Sequence, residues 1–164
     1  MAVRLFNRRI LKVYSENFTL SPKQLRGFGT TAKLEWKKVK FTAGNRSSVP
    51  ADRGIYAFVV EDNRSQLPPH GYVMYVGITG DTGGHNLRKR YGDYLRDKVD
   101  EKRVGINFML NNWGPSLYFH YAVLSDKRYR LAILEAQMND ALIPPYSFKD
   151  FSAEIRKAKK AFRL

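Results

Sequence analysis

Residues 54–60, Gly54-Ile55-Tyr56-Ala57-Phe58-Val59-Val60, decide the fold, because they are rich in β-branched and aromatic side chains. Such a run predicts a β-strand. A second run of the same kind, Tyr72-Val73-Met74-Tyr75-Val76-Gly77-Ile78, follows the polar loop Glu61–Gly71. The two runs therefore predict a hairpin with a long connecting loop.

Downstream of the hairpin, the hydrophobic pattern predicts helices and one more strand. Asn86 is an N-cap residue before a helix that extends to about Val99, with Leu87, Tyr91, Tyr94 and Leu95 on its apolar side. The remaining predicted elements are a strand at Ser116–Leu124 and helices at Lys127–Ile143 and Ser152–Phe162. This order predicts an α+β fold with a small, mainly antiparallel three-stranded sheet flanked by helices.

Charge divides the chain into three predicted regions. Residues 1–53 form a basic N-terminal extension with twelve Lys and Arg against three Asp and Glu. The sequence of this extension predicts a short helix at Ser21–Arg26 and a strand at Leu34–Phe41, with Leu34 and Trp36 pointing inward and Val39 and Phe41 as further candidates for the inward side. Residues 54–147 form a nearly neutral module, with eleven against ten, and residues 148–164 form a basic C-terminal helix packed on it, with six against two.

Overall composition limits the classes of function. The net charge of +14 indicates a polyanionic partner, either nucleic acid or an acidic membrane, unless the excess only aids solubility. The absence of cysteine excludes a disulfide scaffold, a cysteine zinc site and a thiol nucleophile, and it fits the cytoplasm or another reducing compartment. No run approaches the ~18 apolar residues of a membrane span, so no membrane-spanning segment is expected, and the leading hypothesis includes no membrane partner.

Glu135 is the clearest anomaly in the hydrophobic pattern. It lies four residues after Leu131, next to Leu134 and three before Met138, within or at the edge of an apolar helix stripe. A buried carboxylate needs a cation, because its desolvation is costly. The cation could be an arginine in an ion pair or a bound metal, and an edge position reaching solvent would remove the need for either.

Arg90 and Tyr94 lie four residues apart and project from one side of their predicted helix. A guanidinium beside a phenol suits a phosphate group. Arg88 and Lys89 add positive charge at the same helix N-terminus, which attracts anions. The alternative is a solvated basic face beside a core tyrosine.

Tyr56 and Tyr75 each lie on a predicted strand within two residues of a glycine. A phenol has an ordinary pKa near ~10 and acts as a base near neutral pH only if cations lower that pKa. The alternative is that both are core tyrosines with hydrogen-bonded hydroxyls.

Together these residues form an ordered set: Gly54-Ile55-Tyr56, Tyr75-Val76-Gly77, Asn86-Leu87-Arg88-Lys89-Arg90 with Tyr94, and Glu135 on a helix that ends at Pro144-Pro145-Tyr146. The set, which covers about residues 54–147, resembles the GIY-YIG nuclease superfamily. The resemblance implies a hydrolytic nuclease that uses one divalent cation, Mg²⁺ or Mn²⁺.

The resemblance also implies roles for individual residues. Glu135 would be the metal ligand, and Arg90 would steady the charge developing on phosphorus. Tyr56 would be the general base, Tyr75 would orient water or phosphate, and Tyr94 matches a further phenol of some members. Four features depart from the family pattern and bear on the proton path: eighteen residues between the tyrosine motifs, an expanded glycine-rich turn before Arg90, Ser147 where the family often has asparagine, and Ile78 where some members have lysine.

The leading hypothesis is a metal-dependent endonuclease acting on DNA, with RNA not excluded. The basic flanks would supply phosphate contacts, among them Arg156, Lys157 and Lys160. One alternative is a catalytically inactive nucleic-acid-binding protein that retains the GIY-YIG fold. A peripheral membrane protein is a third hypothesis, which only the amphipathic stretch Ser152–Leu164 approaches.

Overall fold

The computed structural model describes residues 16–62, 66–81, 83–148 and 151–161. The first fifteen residues of the N-terminal extension, and Phe162 at the predicted end of the last helix, lie outside these ranges. Within them, no helix combines the length and apolar character that a membrane span requires.

The centre of the fold is a four-stranded antiparallel sheet with strand order β1-β4-β2-β3. Its strands are β1 (Lys37–Lys40), β2 (Gly54–Val60), β3 (Tyr72–Thr79) and β4 (Leu117–Val123). The α+β class and the long-looped β2–β3 hairpin are confirmed.

The prediction of a three-stranded sheet is wrong, because β1, which lies within the strand predicted at Leu34–Phe41, joins the sheet beside β4 and places Val39 opposite Phe119. Three of the four β1 residues are exposed lysines, so its hydrophobic pattern is weak. The inward orientation predicted for Trp36 is also wrong, since that residue is 38% exposed, while Phe41 is buried.

The described residues form five α-helices: α1 (Pro22–Gly27), α2 (Leu87–Asp97), α3 (Val104–Asn112), α4 (Leu131–Leu142) and α5 (Ala153–Ala161). The predicted caps are confirmed, because the side chains of Ser21 and Asn86 accept hydrogen bonds from the backbone of the first turn. Helix α4 starts at Leu131 instead of Lys127, since residues 126–129 form a turn in which Tyr129 N donates a hydrogen bond to the carbonyl of Asp126. Helix α3 has no counterpart among the predicted elements.

Side chains alternate along β2 and divide the core into two layers. Tyr56 and Phe58 pack with α2 and α3, and we call this side the tyrosine layer. Ile55, Ala57 and Val59 pack with α4 on the other side, which we call the aliphatic layer. The tyrosine of the first motif and the helix carrying Arg90 therefore share one face of the sheet.

The chain that follows α4 runs along the outer edge of β3. Tyr146 N donates to the carbonyl of Met74, and Val76 N donates to Oγ of Ser147. Ile143 takes a left-handed backbone conformation with φ 45° and ends the helix. The turn brings the chain beside β3, close to Tyr75.

Glu61 lies between Lys38 of β1 and His120 of β4, and its carboxylate is hydrogen-bonded to both. Burial raises the pKa of Glu61, but the hydrogen bonds from Lys38 and His120 outweigh burial and leave the pKa below its ordinary value. A carboxyl group with a lowered pKa stabilises the fold above its unfolded-state pKa, and this contribution disappears as pH falls through the folded-state pKa.

Replacing Glu61 by glutamine is therefore expected to lower the melting temperature at neutral pH by several degrees. In a chain of this size, each kcal/mol lost from the free energy of unfolding lowers the melting temperature by about 2–4 °C. The difference from the unaltered protein should shrink as pH falls below the ordinary carboxyl pKa of 4.5, as measured by circular dichroism. Glu35→Gln, which alters an exposed ion pair with Lys33, is the matched control and should change little. A difference that stays constant with pH would contradict the assigned ionisation.

Candidate active site

The position of the Tyr56 ring depends on its close contact with the backbone of β3. The residue opposite it in the register is Gly77. A Cβ at position 77 would lie 2.6 Å from Cζ of Tyr56 and would also meet its hydroxyl oxygen. The tyrosine ring can lean over β3 only because position 77 carries no side chain, which gives the glycine of the second motif a steric role.

Three side chains of the tyrosine layer form one hydrogen-bonded group, which we call the Tyr–Arg cluster. The hydroxyls of Tyr56 and Tyr94 are 2.9 Å apart, and Nε of Arg90 donates to the Tyr56 hydroxyl over 3.1 Å. The predicted shared side for Arg90 and Tyr94 on α2 is confirmed. The arginine remains partly accessible, with 33% of its side chain exposed.

The phenols of the cluster are poor acids. Burial raises the pKa of Tyr56, the neighbouring Tyr75 adds to this effect, and Arg90 opposes it only in part. Burial also raises the pKa of Tyr94. Both phenols therefore stay protonated near neutral pH, and a base role for Tyr56 requires further positive charge beside it.

Tyr75 of β3 lies beside the Tyr–Arg cluster and also lines an accessible cavity. Its ring centroid is 6.3 Å from that of Tyr56 and 6.1 Å from that of Tyr94. Tyr75 is half-buried and lines a cavity of about 310 Å³ together with Arg103, Tyr146 and Phe148. Of the three tyrosines predicted to be catalytic, Tyr56, Tyr75 and Tyr94, it is the one that lines this cavity.

Arg103 is a site residue that the sequence analysis missed. Its guanidinium carbon is 5.3 Å from the Tyr94 ring centroid, and that of Arg90 is 5.7 Å from the same ring. Nη1 of Arg103 also donates to Asp97 over 3.0 Å. Arg103 lies in the short 3₁₀ helix Glu101–Arg103. The sequence predicts no helix or strand in this region, so it gives no indication of the side to which Arg103 belongs.

Glu135 lies apart from this group in the layered arrangement. It is half-buried on α4, beside the buried residues Leu131 and Leu134, which pack in the aliphatic layer. Its carboxylate-bearing side chain is therefore neither fully buried nor fully exposed. In the described part of the chain, no three acidic or histidine residues are grouped so that they could hold a metal ion.

The basic residues predicted to contact nucleic acid have different environments. Arg88 donates to the carbonyls of Val49 and Ser47, and Lys89 donates to the carbonyl of Gly84. Both side chains are therefore hydrogen-bonded to the backbone of neighbouring loops. Three exposed cations on α5 instead line a second cavity of about 360 Å³: Arg156, Lys157 and Lys160.

No family model matches the chain, and neither a curated protein nor a solved structure matches it. The chemistry of the site is therefore inferred from its own geometry. Two guanidinium groups lie near one tyrosine ring, and one of them, Arg103, lines the cavity together with Tyr75. Guanidinium groups beside neutral hydroxyls are chemically able to bind a phosphate group, and here each also pairs with a carboxylate, Arg90 with Asp93 and Arg103 with Asp97.

Proposed function

We propose that the protein is a divalent-metal-dependent endonuclease that hydrolyses phosphodiester bonds in DNA. The observation that carries the proposal is the hydrogen bond from Arg90 to Tyr56, within a cluster that adjoins a cavity lined by Arg103 and Tyr75. The ordered motifs that resemble the GIY-YIG superfamily support the same chemistry.

The two arginines would bind the scissile phosphate. Attack on phosphorus places additional negative charge on the nonbridging oxygens, and fixed cations stabilise that charge. Tyr56 and Tyr94 hold Arg90 in place through its Nε hydrogen bond and through its position over the Tyr94 ring. Little reorientation is then needed when the charge develops.

The tyrosines would differ in their access to the reacting atoms. The buried Tyr56 hydroxyl accepts from Arg90, so we assign it first to orienting the arginine. The cavity-lining Tyr75 would donate to the attacking water or to a phosphate oxygen. The base role that the resemblance implies for Tyr56 would require a bound cation, because burial holds its pKa high.

Glu135 is the proposed ligand of the cation. A half-buried carboxylate on the helix that packs against β3 fits a hard cation held at one point by the protein. Mg²⁺ tolerates such a site, since it keeps several waters and takes further oxygens from substrate phosphate. When bound, the cation would supply positive charge to the phosphate oxygens.

The proposal predicts that the full-length protein nicks plasmid DNA with Mg²⁺ or Mn²⁺ and not with EDTA. Glu135→Ala should lower the cleavage rate at least about 100-fold, because several kcal/mol of transition-state stabilisation are lost. DNA binding in EDTA, measured by fluorescence anisotropy, should persist. The matched control Glu154→Ala changes an exposed carboxylate of α5 and should cut normally. Undiminished cutting by Glu135→Ala would remove the assigned metal role.

A second candidate is a nucleic-acid-binding protein without catalytic activity. The raised pKa of Tyr56 and the position of Glu135 beside the aliphatic layer favour it. Salt-sensitive DNA binding without cutting at any metal concentration would select this candidate.

A further inference from the structure

Phe148 is the side chain shared by the two cavities. It is 52% exposed, whereas Phe151, three residues later, is buried. On one side it lines the cavity that contains Tyr75 and Arg103, and on the other it lines the basic cavity of α5. A single exposed apolar residue is ordinary on a protein surface. An aromatic ring between a phosphate-type site and a cationic cavity is a more specific arrangement.

The backbone around this ring is held in place. Nζ of Lys159 donates to the carbonyls of Pro144 and Ser147, over 3.0 and 2.9 Å, and so fixes the chain just before Phe148. The ring also packs near Gly105, where an added Cβ would lie 3.5 Å from it. The ring is therefore positioned by the fold while about half of the residue faces solvent.

We propose that Phe148 stacks against an unpaired base of the substrate strand, next to the phosphate held by the Tyr–Arg cluster. This inference rests on the proposed function and specifies its substrate class. The exposed cations Arg156, Lys157 and Lys160 would bind the phosphates that continue from that base. Alternating aromatic and cationic contacts are typical of proteins that hold a single nucleic-acid strand.

The preference for an unpaired base follows from stacking geometry. Inside an intact duplex, both faces of a base are covered by its neighbours, so an aromatic side chain must unstack the bases at a cost in free energy, whereas an unpaired or extruded base offers an open face. Single-stranded DNA, or DNA with an unpaired segment beside the cleavage point, should therefore bind better than a blunt duplex of the same sequence.

The test measures binding in EDTA, where no metal-dependent cutting occurs. The probes are a single-stranded oligonucleotide that carries a fluorescent base analogue and the blunt duplex of the same sequence. Phe148→Ala should raise the Kd for the single strand about 5- to 150-fold and abolish quenching of the analogue, with less than about a twofold change for the duplex. Phe148→Tyr should retain both signals. Phe18→Ala, which removes another exposed ring, is the matched control.

The outcomes separate this inference from the nuclease proposal. Phe148-dependent binding without cutting in Mg²⁺ would support the stacking role and overturn the nuclease. Normal cutting with unchanged single-strand binding by Phe148→Ala would support the nuclease and overturn the stacking role. Failure to bind single strands, or an equal loss on both probes, overturns the stacking role.

Discussion

Replacing Arg90 by alanine is expected to lower the rate of DNA cleavage by about 10²–10³-fold, because removal of one fixed donor to a transition-state oxyanion has an effect of that size. The fold should persist, since Tyr56 keeps its hydrogen bond to Tyr94 and Arg90 is partly exposed. Single-turnover cleavage with excess protein would measure the chemical step, and circular dichroism would verify folding.

Two further variants sharpen the Arg90 experiment. Arg90→Lys keeps the charge but loses the planar guanidinium, so we expect only partial recovery of the rate. Arg128→Ala removes a mostly exposed arginine, which pairs with Asp126 and not with a partner of Arg90, and it should cut within about threefold of the unaltered protein. An Arg90→Ala rate equal to that of Arg128→Ala would exclude Arg90 from the reaction.

Replacing Gly77 by alanine is expected to lower the free energy of unfolding by about 3 kcal/mol. The added methyl group would overlap the ring of Tyr56, which is fully buried and stacked on Phe119, so the ring has little room to move. The melting temperature should fall by about 6–12 °C, and the displaced cluster should also cut DNA more slowly. Gly44→Ala meets nothing within 4 Å and is the matched control.

A double-mutant cycle tests the assigned cause of this instability. In a Tyr56→Ala background, the atoms that the new methyl group would meet are gone, so Gly77→Ala should cost much less stability. An equal cost in both backgrounds would mean that the glycine is needed for another reason.

The central hairpin was predictable because its signals are local. Residues 54–60 and 72–79 are rich in strand-forming side chains, and Asn86 marks the start of α2 by its own hydrogen bond to the backbone. Four of the five candidate catalytic residues lie on these three elements, so the Tyr56–Arg90–Tyr94 group and its neighbour Tyr75 were within reach of sequence reasoning.

What sequence reasoning missed depends on tertiary contacts. Helix α3 contains Gly105 and several asparagines, which are poor helix formers, and it is stabilised by packing Ile106, Met109 and Leu110 into the tyrosine layer. Without that helix, the position of Arg103 beside Tyr94 could not be inferred. The layer against which α4 packs was equally hidden, because periodicity identifies an apolar side but not its partner.

Both edges of the sheet are closed to a further strand. At one edge, the short strand β1 presents Lys37, Lys38 and Lys40, and a row of like charges repels an incoming strand. At the other edge, Tyr146 N and Oγ of Ser147 are already hydrogen-bonded to backbone groups of β3. Association by strand addition, including the edge-to-edge pairing that begins aggregation, is therefore disfavoured. A large partner would instead contact side chains on the faces of the protein, where the exposed aromatic and cationic groups of the protein lie.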